Sequence, residues 1–321
     1  MMKRAPEVIC LGMSVVDVLV KGVGDVRMEG ATYMVEDVKF LPGGDAVNEA
    51  ITLANLGHRV ALMTNVGDDE QGKMILGACE ALGIDAGGVA VSRKYPTATS
   101  VVLIGMNGEH GFLSRPNHAS AYYGLEDIDL GLIGEGTKVL SIGSLFCSKL
   151  LNDSELTAIL KKAKEAGAVT IADLVLDRAD CTLAEIGTAL SYLDYIVPSI
   201  DEARHFSGKS ELSDIADAFL AYGVGSVVIK LGAKGVYAKR GAEEYRVPTF
   251  ASRVVDTTGA GDNFMAGFIS GLVRGCALTE CLRFGSGTAA ISIGEVGATG
   301  AIHSLRQVQD FINKSEEGNA L

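Results

Sequence analysis

Asp256-Thr257-Thr258-Gly259-Ala260-Gly261-Asp262-Asn263-Phe264 ends a β-branched segment in a turn of small residues and then opens a helix, expected over about Asn263 to Arg274. Such a junction makes an anion site with an acid inside it. The backbone N–H groups of Gly259, Ala260 and Gly261 would stand unpaired at the head of the helix, where the helix dipole adds positive potential. A phosphate group is the natural occupant. Asp262 is placed beside it to accept a proton from a hydroxyl that attacks phosphorus, although an acid in a first helical turn also serves simply to offset the dipole.

A second Gly-rich element, Gly43-Gly44-Asp45-Ala46-Val47-Asn48-Glu49-Ala50, runs into a helix that ends near Leu56-Gly57. Two such elements in one chain are much rarer than one. With both present the chain resembles the PfkB (ribokinase-like) family of carbohydrate and nucleoside kinases. Gly43-Gly44 through Asn48, with Gly57 and Gly67, is similar to one family signature, and Asp256 through Ile269 to the other. The resemblance runs from Val8 to Ile312. It implies an α/β, ribokinase-like three-layer fold in a single domain over residues 1–321, with ATP and Mg2+ as cofactors. The implied reaction moves the γ-phosphate of ATP to a hydroxymethyl group of a small sugar such as ribose, fructose or a related ketose. Nucleosides and 2-keto sugar acids are the alternative acceptors. A non-catalytic sugar or nucleotide sensor on the same fold is the alternative of another class; the intact Gly-Ala-Gly turn with Asp262 counts against it.

Composition agrees with such an enzyme. A chain of 321 residues, 48% hydrophobic and 21% charged, can bury a large core. Its formal net charge of −12 argues against a nucleic-acid backbone or an anionic membrane surface as partner, so an anionic substrate has to be held by a local site. The absence of a bilayer-length apolar run and of a basic, apolar leader over Met1 to Leu19 points to a cytoplasmic location. Cys10, Cys79, Cys147, Cys181, Cys276 and Cys281 are scattered without metal-ligand spacing and read as reduced, buried small residues.

Along the chain, short β-branched runs alternate with helical patterns, which predicts a mainly parallel sheet covered on both faces. Val8 to Leu11, Val60 to Met63, Val139 to Ile142, Val169 to Ala172, Ile196 to Pro198 and Val227 to Lys230 are the core strands. A helix from Asp69 to Leu82 closes on Gly83, and another covers Leu156 to Ala166. The stretches at about 15–40 and 97–114 lack crossover helices and predict a small β-lid, with Asn107-Gly108 as a hairpin turn. A lid that excludes water would keep ATP hydrolysis from competing with transfer, and it is a candidate face for a homodimer.

The acceptor residues follow from the same elements. Asp17, just beyond the first strand, suits two neighbouring sugar hydroxyls, and it resembles the family's acceptor-binding aspartate. Gly43 and Gly44 let the backbone approach the sugar, while Asn48 offers a donor and an acceptor. Tyr33, Phe40 and Phe112 could wall a nucleobase, and Arg115 could pair a carboxylate. On the ATP side, the family's Asn-x-x-Glu tetrad matches Ser199-Ile200-Asp201-Glu202, with serine in place of asparagine. Glu202 would orient magnesium-bound water. Lys230, Gly232 and Gly235 resemble the family's turn beside the nucleotide. The resemblance also implies a monovalent-cation loop for potassium built from Asp256, Thr258 and backbone near Gly297. Against that reading, Asp256 could merely cap its own turn.

Ala203-Arg204-His205-Phe206-Ser207-Gly208-Lys209-Ser210 matches a loose Walker A pattern, but it follows a helical segment instead of a buried strand and is rejected. No Gly-x-Gly-x-x-Gly follows Leu11, which disfavours a dinucleotide fold. His58, His110, His118, His205 and His303 are isolated.

Overall fold

Val8–Leu11 is apolar at every position, and a strand without a polar face has to be covered on both sides. The computed structural model, which describes residues 5–24, 30, 32–105, 110–176 and 180–319, places it near the middle of a large sheet. In chain order the strands are β1 (Val8–Leu11), β2 (Val15–Val23), β3 (Asp37–Gly43), β4 (Val60–Gly67), β5 (Asp85–Ser92), β6 (Ala98–Gly105), β7 (His110–Ser114), β8 (Val139–Leu145), β9 (Val169–Leu174), β10 (Tyr195–Ile196), β11 (Ser226–Lys230), β12 (Val236–Arg240) and β13 (Glu243–Val247). The helices are α1 (Asp45–Asn55), α2 (Glu70–Leu82), α3 (Asp153–Glu165), α4 (Gly187–Leu190), α5 (Ile200–Ser207), α6 (Leu212–Leu220), α7 (Ala260–Val273), α8 (Leu278–Ser292) and α9 (Leu305–Asn319).

Among the described residues, nine strands form one sheet in the order β13-β12-β11-β10-β9-β8-β1-β4-β5, parallel except for the β12 and β13 edge. The pleat divides the core between two faces. Val8, Cys10, Leu62 and Val139 pack with Ala50 and Leu53 of α1 and with Phe264, Phe268 and Leu282 of α7 and α8. Ile9, Leu11, Met63 and Leu140 face Leu156, Ile159 and Leu160 of α3 and Phe219 of α6. Each such side chain, fully buried, contributes about 1.5–3 kcal/mol, so the two helical layers are held by ordinary apolar burial.

The expected element boundaries hold where local chemistry sets them. Asp69 caps α2 by accepting from Gly72 N at 2.8 Å, and Gly83 ends it with φ 68°. The boundary that bears on the site differs: α7 begins at Ala260, ahead of the expected Asn263, so Asp262 lies inside the first turn.

The second, small sheet has the order β3-β2-β6-β7 and reaches Gly43, a little past the expected end at about 40. Its register sorts the side chains. Asp17 lies opposite Leu41 and Ser100, and Val102 opposite Phe112, so these residues share one face with Leu19 and Ile104. Phe40, opposite Val18, is on the other face. Ile104 pairs with His110 across the hairpin, and Asn107-Gly108 itself lies outside the described residues.

Candidate active site

The carboxyl ends of β8, β9 and β11 and the head of α7 surround a cavity of about 570 Å3, lined by Gly143, Ser144, Asp173, Lys230, Gly261 and Asp262 among others. Parallel sheets bind ligands at this edge, where loops and helix heads converge. Gly259 caps α7 in the left-handed region at φ 70°, and a Cβ there would run into Ala298. Only glycine makes that turn. The turn also corrects one expectation, because Ala260 N donates to Thr257 O at 3.2 Å and so is used within the turn. The first-turn N–H groups of Gly261 and Asp262, which have no preceding helical turn to donate into, are left at the cavity wall.

Asn48 Nδ2 donates to Asp262 Oδ2 at 2.7 Å, joining residues 214 apart in sequence. Burial pushes the Asp262 carboxyl above its ordinary value, while the Asn48 hydrogen bond and the Lys230 charge pull it down. Asp17 faces the same acid. Burial, and then the charge of Asp262, raises Asp17 to about 6. Gly43 lies directly against the Asp17 carboxylate, where any side chain would collide with it. Asp17 on β2 and Asn48 on α1 therefore meet Asp262, with Gly43 packed against Asp17 and Gly44 opening α1.

Ser199, Glu202, Lys230, Gly232 and Gly235 all line the cavity. Ser199 caps α5 in a capping box: its N–H donates to Glu202 Oε2 at 2.7 Å, and its Oγ accepts from Glu202 N at 3.4 Å. Serine in place of asparagine thus orients the glutamate through the helix head. The helix ends at Gly208, φ 65°, which is inside the rejected Walker pattern. Leu231 N donates to Gly235 O at 2.8 Å, closing the turn between β11 and β12 while keeping Lys230 at the cavity wall. Lys230 forms an ion pair with Asp173. Burial works against its charge, but Asp173 and Glu202 hold its pKa above the ordinary value.

Asp256, Thr258 and Gly297 are also brought together. The Asp256 carboxylate accepts from Thr258 N and from Gly297 N, both at 2.9 Å, so it pins the Gly297 loop beside the α7 turn.

Arg115, just past β7, is exposed, and its charge acts on Asp69. One expectation fails on geometry. Phe40 faces away from Asp17, which leaves Phe112 as the aromatic strand residue on the Asp17 face. Tyr33 lies ahead of β3, outside the strands.

Several residues of the site were not singled out in the sequence. Asp45 Oδ1 accepts from Met13 N at 2.7 Å and Ala46 N at 2.5 Å, and Ser144 Oγ bonds its other oxygen. Glu49, 1% exposed, accepts from Ser141 Oγ at 2.6 Å. Asp173 had a readable signal, an acid at the carboxyl end of a core strand. Asp45 had one too, an acid directly after a Gly-Gly turn. Ser141 and Ser144 had none.

The architecture is ribokinase-like. Residues 5–305 match the family model described as pfkB family carbohydrate kinase, and the chain belongs to that family. It is accordingly a phosphotransferase acting on a sugar hydroxyl, in a family that uses ATP. An ATP-dependent 6-phosphofructokinase of Thermoanaerobacterium thermosaccharolyticum is 30% identical over 301 residues, covering 91% of this chain and 89% of that protein. A ribokinase of Haemophilus influenzae is 27% identical over 292 residues, covering 88% and 91%. Among solved structures, the ribokinase of Thermotoga maritima superposes with a TM-score of 0.80 at 27% identity over 96% of this chain and 99% of its own. Arabidopsis thaliana ribokinase, complexed with ribose and ATP, gives 0.81 at 24% identity over 96% and 99%, a likeness of fold. No helix among the described residues is long and apolar enough to cross a membrane.

Proposed function

We propose that this protein transfers the γ-phosphate of ATP to a hydroxymethyl group of an uncharged small sugar, such as ribose, fructose or a related ketose. The observation that carries the reading is the convergence on one carboxylate: Asn48 bonds Asp262 at 2.7 Å while Asp17 faces it across the acceptor side. Asp17 and Asn48, with the open backbone of Gly43 and Gly44, hold the sugar. Asp262 takes the proton of the attacking hydroxyl as its oxygen bonds to phosphorus; the bond to the β-phosphate oxygen breaks and ADP leaves. The first-turn N–H groups of Gly261 and Asp262, held by the Gly259 turn, stabilise the charge on the moving phosphoryl group.

Lys230, Ser199, Glu202, Gly232 and Gly235 line the nucleotide side. Among the described residues no three acidic, His or Cys side chains are grouped to hold a metal directly. A magnesium ion bound with the nucleotide would keep water and phosphate oxygens as ligands, with Glu202 orienting the water. Potassium would sit beside Asp256, Thr258 and Gly297, where it would stiffen the turn. The small sheet acts as the lid. Its outer face, with Phe40 55% and Leu113 60% exposed, is the surface for a second copy of the chain, to be checked by light scattering in solution. Arg115, exposed beyond β7, keeps a sugar acid as an alternative acceptor, and Phe112, on the Asp17 face of the small sheet, keeps a nucleoside.

An ADP-release panel over ketohexoses, pentoses, 2-keto sugar acids and nucleosides tests this reading. Release with a neutral sugar alone is expected. Preference for a sugar acid or a nucleoside replaces the acceptor class, and release with none favours a sensor.

A further inference from the structure

Asn263, the residue after Asp262, has no part in the roles above, yet its side chain is 0% exposed and tied to three separate segments. Its Nδ2 donates to Gly259 O at 2.9 Å and to Ala298 O at 2.6 Å, and its Oδ1 accepts from Thr52 Oγ1 at 2.9 Å. Both amide hydrogens and the amide oxygen are therefore in use in a dry setting, which fixes the side chain's rotation.

The three partners matter by position. Gly259 O belongs to the peptide plane that carries the Ala260 N–H, the donor to Thr257 O, so fixing that oxygen anchors the first peptide of α7, from which the Gly261 and Asp262 N–H groups follow. Asn263 N also donates to Gly259 O, at 2.9 Å, giving this carbonyl two donors from one residue. Ala298 follows Gly297, whose N–H is held by Asp256, and a Cβ on Gly259 would strike Ala298. Thr52 lies on α1, one turn beyond Asn48, the partner of Asp262. A single amide thus links the turn, the Gly297-Ala298 loop and the helix that carries the acceptor residues.

We propose that Asn263 is a positioning residue for phosphoryl transfer, holding the Gly259–Gly261 turn against the Gly297-Ala298 loop and against α1 so that the α7 N–H groups stay aimed at the transferring phosphoryl group. The proposal rests on the kinase reading above. A group that only fastens the fold would affect ground-state and transition-state ligands alike, whereas a group that aims donors acts on the transition state.

The test uses the full chain and two probes, Mg·ADP alone and Mg·ADP with aluminium fluoride in the presence of D-ribose and D-fructose, with affinities measured by calorimetry. Wild type is expected to bind the fluoride complex more tightly than ADP. Asn263→Ala should keep ADP affinity within about threefold and lose at least about tenfold of the extra tightening. Thr52→Val, which keeps the side-chain shape, should lose about threefold, and Thr52→Ser should restore it. A folded Asn263→Ala protein with wild-type tightening, or with equal losses for both probes, overturns the proposal. If circular dichroism shows that Asn263→Ala does not fold, Thr52→Val decides, and unchanged tightening there overturns it. Absence of tightening in the wild type overturns the reading of the turn as the phosphoryl site, and the proposal with it.

Discussion

Helices α1 and α7 both open from a glycine with positive φ, Gly44 at 93° and Gly259 at 70°, yet they present opposite chemistry to the cavity. In α1 the acid is at the first helical position. Asp45 folds its carboxylate back over its own helix head, accepting from Ala46 N and Met13 N, with Ser144 on the other oxygen. In α7 the acid is at the third position, and Asp262 reaches across to Asn48 on the other helix. One helix head is closed by its own carboxyl group; the other leaves its first-turn N–H groups at the cavity. A shift of two positions within the first turn separates an acid that closes its own helix head from one that reaches across to a second helix.

The sharpest way to break this contrast is Asp262→Asn. Turnover should fall by roughly two to four decades with nucleotide affinity nearly unchanged, as steady-state kinetics and calorimetry would read. Turnover within a factor of a few of wild type would make Asp262 no more than a dipole-compensating residue.

Asp17→Ala comes next. The acceptor KM should rise by about 10- to 100-fold with the ATP KM unchanged, because hydrogen bonds to the sugar are lost in ground and transition states alike. The pH dependence follows from the same residue. Asp17 accepts most strongly from hydroxyls when ionised, and burial beside Asp262 pushes it up to about 6, so acceptor kcat/KM should rise with pH through about 6 and level off above it. Removing the neighbouring charge in Asp262→Asn should move the inflection in acceptor binding to lower pH; an unmoved inflection would separate the two acids.

Asp45 should behave differently. Asp45→Ala strands two backbone N–H groups and should lower stability by about 1–3 kcal/mol in urea denaturation. Asp45→Asn, which keeps an acceptor oxygen, should retain turnover within about tenfold of wild type. A loss as deep as that of Asp262→Asn would put Asp45 in the chemistry and erase the distinction between the two helix heads.

The smallest effect concerns the ion. At fixed ionic strength potassium should stimulate by a few fold over sodium or lithium, acting through the turn that Asp256 ties to Gly297. Equal rates in potassium, sodium and a bulky organic cation would mean that Asp256 holds the turn without an ion.

Much of this protein was legible locally. The apolar run Val8–Leu11, the Asp69 and Gly83 caps of α2, and the two Gly-rich helix heads are set by neighbouring residues, so spacing and residue type alone lead to the parallel sheet and the anion turn. Ser199 could be read as a departure from the family, but its use as the cap of α5 appears only with the helix in place. The partner of Asp262, the Lys230–Asp173 pair and the Ser144–Asp45 bond join residues 214, 57 and 99 apart. Sheet order decides these. It brings α1 beside α7 and sets the ends of β8, β9 and β11 around one cavity. Strand register likewise put Phe40 and Phe112 on opposite faces of the small sheet, with Phe112 on the face of Asp17. Helix heads and turns are fixed by hydrogen bonds within a few residues, whereas which carboxylate meets which amide depends on how whole layers pack, and local periodicity carries no record of that.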